Sequence, residues 1–217
     1  MNNNIQGLIA CSGNATRFAQ SIGKNPPYPK HLEMIGDKSV LNMVTESFIK
    51  YIPVSSITFT INSQLQDQYI SHLKNIQEKL PNIKLSFVVT TPGENSNIYT
   101  DLKNAVKNDI FQLNGKKLKL PEDPIMAIGY GDAIIKIAKA KSIQKAIESY
   151  LPKLETGHNI SIFNHANTPT QALHYITKPS SFSEKWPTKI IEAYKYGFEC
   201  WNINTIGQLR QAREDLS

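Results

Sequence analysis

The sequence predicts an α/β fold in which helices cover a mainly parallel sheet. Three observations support this prediction. Short apolar runs rich in β-branched residues recur along the chain, amphipathic helical stripes stand between them, and turn residues separate the two kinds of segment. Because a strand–helix–strand crossover places its two strands side by side and parallel, this alternation is typical of α/β proteins.

The first half of the chain gives the clearest elements. An apolar run at residues 7–11 predicts a buried strand, and the turn Ser12-Gly13-Asn14 ends it. A glycine there can adopt positive φ and let backbone N–H groups face a ligand. Ser39 can cap a helix that Pro53 ends. The pattern further predicts a strand at 56–61, a helix at 65–80, a strand at 84–89 and a helix at 98–107.

The second half alternates in the same way. A basic stretch around Gly115 predicts a surface insertion or a short hairpin, and a buried strand then ends in Gly131-Asp132. That carboxylate would lie at the carboxyl end of the sheet, where open α/β sheets bind ligands. A helical region is expected next, including 142–151, followed by strands at 159–163 and 172–176. An aromatic strand from Tyr196 leads into a last helix capped by Thr205.

Composition limits the classes of function. We expect a single domain spanning residues 1–217, with hydrophobic (40%) and charged (19%) fractions that indicate neither disorder nor a coiled coil. The net charge is +6, but no basic run with interleaved aromatics appears, so we expect a small anionic ligand and no nucleic acid. No signal peptide or membrane span is evident, which predicts a cytoplasmic protein without a membrane partner. The two cysteines, Cys11 and Cys200, are expected to be free thiols, and the five histidines structural.

The stretch from residue 7 to residue 36 carries the strongest functional signal. A strand feeds a loop of small residues that ends in Arg17, and Lys30 follows after three prolines. Backbone N–H donors and two cations in one region favour a polyphosphate ligand.

This stretch resembles the nucleotidyltransferase family, whose pattern is L-A-A-G-x-G-T-R-M, a spacer, P-K-x-L and a downstream glycine. The family includes enzymes that act on sugar phosphates and on molybdopterin-type acceptors. It has a GT-A-like, Rossmann-like three-layer α/β/α fold, and its members join an NTP to a phosphorylated acceptor and release pyrophosphate. The matching residues are Gly13, Thr16, Arg17, Pro29, Lys30, Leu32 and Gly36.

The resemblance implies a role for particular residues. Arg17 and Lys30 would be catalytic cations, Asp132 and Asn202 would hold Mg²⁺, and Lys178 would bind the acceptor phosphate. The residues expected to line the nucleotide site are Ala10, Ser12, Gly13, Asn14, Gly93, Asn97 and Gly131.

Departures from the family pattern keep alternatives open. Ala15 replaces the second glycine, Thr177 stands where glutamate is common before Lys-Pro, and Asn202 replaces a carboxylate. The alternatives are a GT-A-type glycosyltransferase, although no D-x-D motif is present, and a non-catalytic nucleotide-binding regulator. The NTP base, the acceptor (a sugar phosphate, an alcohol phosphate or a molybdopterin-type compound) and a possible homodimer stay undetermined.

Overall fold

The computed structural model of the chain describes residues 5–91, 98–154, 158–163, 172–181 and 189–217. The strands are β1 (Ile5–Cys11), β2 (Met34–Ile35), β3 (Lys38–Ser39), β4 (Val54–Asn62), β5 (Lys84–Thr90), β6 (Ile110–Gln112), β7 (Lys117–Leu118), β8 (Met126–Tyr130), β9 (Ala133–Ile137), β10 (Ile160–Phe163), β11 (Ala172–Thr177), β12 (Lys189–Glu192) and β13 (Phe198–Asn202). The α-helices are α1 (Thr16–Ser21), α2 (Val40–Tyr51), α3 (Gln66–Lys79), α4 (Ile98–Lys107), α5 (Ala140–Leu154) and α6 (Ile206–Leu216).

Nine strands form one sheet in the order β12-β10-β11-β8-β1-β4-β5-β6-β7. Its centre is parallel, because β1 pairs with β4 and β8 in the same direction and β4 pairs so with β5. Strands buried on both faces read as near-continuous apolar runs, as β1 does. The fold class predicted from the sequence, a Rossmann-like α/β fold with a mixed sheet, is confirmed.

The parallel strands give the sheet two distinct edges. We call the edge at which β1, β4 and β8 end the carboxyl edge, and the opposite one the amino edge. β11 runs antiparallel to β8, whereas β10 and β12 run in the direction of β8. Consequently β12 ends at the carboxyl edge and β11 ends at the amino edge.

Helix α2 shows how local sequence determines an element. The Ser39 side chain accepts a hydrogen bond from the Asn42 backbone N–H (3.0 Å), which caps the helix as predicted. Val40, Val44 and Phe48 recur at four-residue spacing and are buried. This stripe packs against α5 and β9.

A two-stranded ribbon of β9 and β13 stands apart from the main sheet. Strand β9 was not predicted, because a helical region was expected directly after Asp132. Its β-branched Ile134 and Ile135 instead pair with β13, so a strand follows the turn at once. Strand β12 was also missed. No helix in the described part of the chain is long and apolar enough to cross a membrane.

Candidate active site

Lys30 and Asp132 form a largely buried ion pair at the carboxyl edge. Lys30 begins a short 3₁₀ turn after Pro29, and Asp132 follows the end of β8. The Lys30 Nζ atom lies 2.5 Å from Asp132 Oδ2, and the two side chains are only 8% and 17% exposed. A lysine is rarely buried without a partner, so each charge supports the burial of the other.

The Asn204 side chain connects this pair to the end of β13. Lys30 Nζ donates to Asn204 Oδ1 (3.1 Å), and Asn204 Nδ2 donates to Asn202 Oδ1 (2.8 Å). The backbone N–H of Ile203 donates to the Asp132 carbonyl (2.9 Å). The turn after β13 is therefore fixed beside Asp132.

Arg17 reaches the same point from the first turn of α1. Its Nη2 atom lies 3.4 Å from Asn204 Oδ1, at the long end of the hydrogen-bond range. Arg17 is an exposed residue at this edge. Thus Arg17, Lys30, Asp132 and Asn202, four candidate residues from separate segments, lie within one connected group of side chains.

The donor set beside Asp132 fits a hard divalent cation. Asp132 offers a carboxylate and Asn202 an amide oxygen, which are the ligand types that Mg²⁺ takes, usually with waters and substrate phosphates. The Lys30 ammonium group already neutralises part of the Asp132 charge. Among the described residues no three acidic, histidine or cysteine side chains cluster as a metal site, so such an ion would need ligands from the substrate.

The loop between β1 and α1 differs in detail from the expectation. Gly13 is exposed, and a Cβ at this position would meet open space. Positive φ, expected at this glycine, occurs instead at Ala15 (φ 52°, ψ 37°), where the family pattern has its second glycine. A left-handed alanine costs about 1–2 kcal/mol, so the loop keeps a glycine-like backbone with a non-glycine residue.

Three hydrogen bonds anchor this loop to neighbouring segments. Asn62, fully buried at the end of β4, donates its Nδ2 to Asn14 Oδ1 (3.1 Å). Ser12 is also buried, and its hydroxyl donates to Asp101 Oδ1 of α4 (2.5 Å). The Tyr28 backbone N–H donates to the Asn14 carbonyl (3.2 Å). The loop is therefore anchored to β4, to α4 and to the proline segment.

Gly131 has a packing reason for being glycine. Its backbone N–H donates to the Ala10 carbonyl (2.9 Å), and an added Cβ would lie 2.3 Å from Cys11 Sγ. This close approach lets β8 end directly beside β1 and brings Asp132 next to the loop. Both Gly131 and Ala10 thus lie at the carboxyl edge, where a nucleotide role was predicted.

A buried histidine supports the turn that presents Lys30. His31 Nδ1 lies 2.5 Å from the Tyr69 hydroxyl of α3. Burial, assisted by the Lys30 charge, lowers the pKa of His31 to about 3, so the ring is neutral at physiological pH. A structural role was expected for this histidine, and the contact agrees with it.

The strand register places Lys178 away from the other candidate residues. Thr177, the last residue of β11, pairs with Met126, the first residue of β8. The next turn is fixed by Asp123, whose carboxylate accepts from the Ser180 N–H (2.8 Å). Lys178 therefore lies at the amino edge, separated from Asp132 by the length of β8, about 13 Å or more. The acceptor role of Lys178 stays a prediction.

A different acidic and basic pair lies at the carboxyl edge. The strand registers place Glu192, the last residue of β12, in one row with Phe163 and Ala172, three strand spacings or about 14 Å from β8. Lys195 follows in a 3₁₀ turn and forms an ion pair with Glu192. The Lys195 ammonium group also stands over the Tyr194 ring, 5.7 Å from its centroid.

Sequence reasoning missed Asn204, Asp101 and the Glu192–Lys195 pair. The signal for the last was present, because a glutamate and a lysine follow the β-branched residues Ile190 and Ile191. Gly93 and Asn97, predicted to line the nucleotide site, lie outside the described residues.

Comparison with solved structures identifies chains of the same fold. The chain is similar to a UDP-glucose pyrophosphorylase complexed with UDP-glucose (TM-score 0.61, 11% identity, 98% of each chain covered). It is also similar to an apo UDP-glucose pyrophosphorylase (0.61, 11%, covering 98% of this chain and 97% of that one) and to UDP-glucose pyrophosphorylase from Acinetobacter baumanii (0.62, 9%, covering 97% and 92%).

No protein-family model matches the chain, and no curated protein matches it in sequence. With 9–11% identity, the structural likeness is a likeness of fold. The chain thus has the fold of these nucleotidyltransferases over nearly its whole length, as the motif resemblance implied.

Proposed function

We propose that the protein is a nucleotidyltransferase that moves an NMP group from an NTP to a phosphorylated small molecule and releases pyrophosphate. The observation that carries this proposal is the connected group of Arg17, Lys30, Asp132 and Asn202 at the carboxyl edge. Open α/β sheets bind ligands at this edge, beside the strand at which the chain order reverses. Here that strand is β1.

The reaction needs alignment and positive charge more than covalent chemistry. An oxygen of the acceptor phosphate forms a bond to the α-phosphorus while the bond between that phosphorus and the oxygen bridging it to pyrophosphate breaks. Negative charge therefore accumulates around one phosphorus atom, and preorganised cations stabilise it. No general base is required, because the acceptor phosphate is already ionised near neutral pH.

Two cations have separate roles in this proposal. Exposed Arg17, at the start of α1, would bind the β- and γ-phosphates as the leaving group. Buried Lys30 would exchange part of its contact with Asp132 and Asn204 for the α-phosphate and the incoming oxygen. Its short 3₁₀ turn, fixed by the His31–Tyr69 contact, preorganises the ammonium group.

Asp132 and Asn202 would hold Mg²⁺ in this proposal. When bound, the ion would supply further charge neutralisation on the transferring phosphoryl group. Asn204 would keep the Asn202 amide oriented, since it donates to the Asn202 oxygen. With a single carboxylate, the site would hold the ion weakly until substrate phosphates complete the coordination.

For the acceptor end we replace Lys178 by the Glu192–Lys195 pair. An acceptor that spans from Asp132 toward β12 would present polar groups to this pair, with the cation for an anionic group and the carboxylate for hydroxyls. UDP-glucose, bound by one of the similar structures, is a nucleotide sugar. A sugar phosphate is therefore the first acceptor class to test.

The proposal is tested by turnover. Purified protein is incubated with each of ATP, GTP, CTP, UTP and dTTP, with and without Mg²⁺, and with a panel of sugar phosphates and alcohol phosphates. Acceptor-dependent release of pyrophosphate from one or two NTPs supports the proposal. Thermal stabilisation by an NTP without any turnover across the panel favours the non-catalytic regulator, for which Ala15 and Asn202 are the motivating departures.

A further inference from the structure

Asp101 is a buried carboxyl group in contact with the loop between β1 and α1, residues 12–15. We call this loop the phosphate loop, because it lies beside Arg17, to which the proposal assigns the β- and γ-phosphates. Asp101 lies in α4, which packs against β1, β4, β5 and β8. The residue is only 4% exposed. Aspartate is almost never buried in this way without a specific set of partners, so its surroundings call for an explanation.

Hydroxyl groups at the ends of the two central strands surround this carboxyl group. Ser12 Oγ donates to Asp101 Oδ1 (2.5 Å), and the Thr60 side chain also forms a hydrogen bond to Asp101. Thr60 Oγ1 in turn accepts from the Cys11 backbone N–H (3.2 Å). The carboxyl group is thus connected to the last residue of β1 and to the residue immediately before Gly13.

We propose that Asp101 is a positioning residue that fixes the phosphate loop through Ser12, and that its negative charge opposes binding of a polyphosphate, so that binding favours the protonated carboxyl form. This inference rests on the proposed function, because it requires phosphates to bind at this loop. It adds a proton-linked control that neither the motif nor the fold implies.

The electrostatic argument follows from burial. A carboxylate and a bound polyphosphate carry the same sign, and in a poorly solvated region their repulsion is weakly screened. Burial raises the pKa of Asp101 to about 6, although the hydrogen bonds from Ser12 and Thr60 oppose this rise. Asp101 therefore changes charge within the range in which binding can be measured. By reciprocity, a bound polyphosphate must raise the pKa of Asp101 further.

The other titratable groups on the elements that pack against α4 do not account for a change of charge beside this loop between pH 5 and pH 8. Cys11 is a neutral thiol, because burial raises its pKa well above the ordinary value. The strand β4 contains no titratable side chain, and the 3₁₀ turn Pro179–Ser181 contains none either. The remaining titratable or charged residues on these strands and among the described side chains of α4 are Lys84, Tyr130, Lys103 and Lys107.

The test compares Asp101→Asn with the wild-type protein. Asparagine can still accept the Ser12 hydrogen bond but cannot become charged. Inorganic tripolyphosphate is the first probe, because it does not depend on the unknown base, and the five NTPs follow. The Kd is measured by calorimetry from pH 5 to pH 8, and the ratio of the two Kd values at each pH cancels the ionisation of the ligand itself.

We expect the Kd of the wild-type protein divided by that of Asp101→Asn to be close to one at pH 5. At pH 8 this ratio should be about ten, because Asp101→Asn then binds the probe more tightly. In Ser12→Ala, the midpoint of the pH dependence of Kd should lie at higher pH than in the wild-type protein. The substitution removes a hydrogen bond that favours the charged form of Asp101. Asp101→Leu should bind more weakly than Asp101→Asn throughout, because it lacks the bond to Ser12. Glu78→Gln, an exposed residue near the end of α3, is the control for a simple change in net charge.

Each outcome has a definite meaning. A ratio that stays constant from pH 5 to pH 8, in a protein that binds the probes, overturns the inference and leaves the proposed function standing. An equal response of Glu78→Gln and Asp101→Asn also overturns it, since net charge would then suffice. Absence of binding by both proteins at every pH overturns the proposed function, and the inference with it.

Discussion

The two edges of the central sheet carry similar residues but differ in how those residues are connected. At the carboxyl edge, Lys30 is buried against Asp132 and linked through Asn204 to Arg17. At the amino edge, Lys178 follows a strand end and precedes a proline, whereas Lys30 follows a proline. The carboxyl edge brings together charged and amide side chains from four segments, whereas at the amino edge Asp123 contacts Ser180. The direction of the preceding strand thus decides at which edge of the sheet a short motif lies.

The largest expected effect concerns the buried ion pair. Lys30→Ala and Asp132→Ala should each reduce turnover by about a hundredfold or more, because the first removes a preorganised cation beside the reacting phosphates and the second removes the carboxylate that would hold Mg²⁺ there. Steady-state kinetics with the NTP found in the turnover screen provides the measurement. The matched control is Lys38→Ala, which breaks the more exposed Lys38–Glu46 pair (2.7 Å) and should leave turnover nearly unchanged. Normal turnover in both Lys30→Ala and Asp132→Ala would contradict the catalytic roles proposed for these two residues.

Stability offers a second comparison, between Asp101 and an exposed carboxylate. A folded-state pKa of about 6, above the ordinary value of 3.8, means that ionisation of Asp101 costs folding free energy as pH rises from about 4 to 6. Asp101→Asn should therefore raise the free energy of unfolding at pH 7.5 by on the order of 2 kcal/mol and by much less at pH 4. Urea unfolding at both pH values measures this difference, with Glu78→Gln as control. An equal change at both pH values would contradict the ionisation argument.

The acceptor assignment is tested by comparing Lys195 at the carboxyl edge with Lys178 at the amino edge. Lys195→Ala should raise the acceptor KM by about tenfold and alter the NTP KM little, as expected for the loss of one charged contact. Lys178→Ala, at the amino edge, should change neither value. The KM values for both substrates are to be measured for both variants. The reverse result, with Lys178 affecting the acceptor KM, would return the acceptor site to the amino edge.

The smallest effect concerns two left-handed residues, one at each edge. Ala15 has φ 52° and Asp123 has φ 47°. Asp123 gains two hydrogen bonds to Ser180 in this conformation, whereas Ala15 has no polar side chain to offset the strain. Ala15→Gly should stabilise the protein by about 0.5–1 kcal/mol, because the strain that it relieves exceeds the extra entropy that glycine loses on folding. Asp123→Gly should destabilise the protein, because it removes the hydrogen bonds to Ser180. Thermal unfolding measures both, and destabilisation by Ala15→Gly would contradict the strain argument.

Local chemistry explains why much of the fold was predictable. Ser39 is a capping residue before a four-residue apolar stripe, and Asp132 follows a buried strand through a glycine. Both signals depend only on residues that are adjacent in the sequence, so they can be recognised without knowledge of the fold. The same holds for the Gly13–Arg17 loop and the Pro29-Lys30 turn.

Long-range pairing explains what the sequence left undetermined. Lys178 and Lys195 both follow short strands near the end of the chain, and only the antiparallel pairing of β11 separates them. Asp101 stands in a mixed polar segment, and its burial results from the docking of α4 against β1 and β4. Asn204 acquires its role because the turn after β13 lies beside Asp132. None of these contacts leaves a local signature.

A map of amide chemical shifts upon NTP binding tests the central claim most directly, since it shows which edge of the sheet holds the nucleotide. The uniformly ¹⁵N-labelled protein is titrated with the NTP that gives the largest thermal stabilisation. We predict shifts at residues 12–17, at Gly131 and Asp132, and at residues 202–204, with the amides of Asp123 and Ser180 unchanged. Shifts confined to the amino edge would contradict the assignment of the nucleotide site to the carboxyl edge.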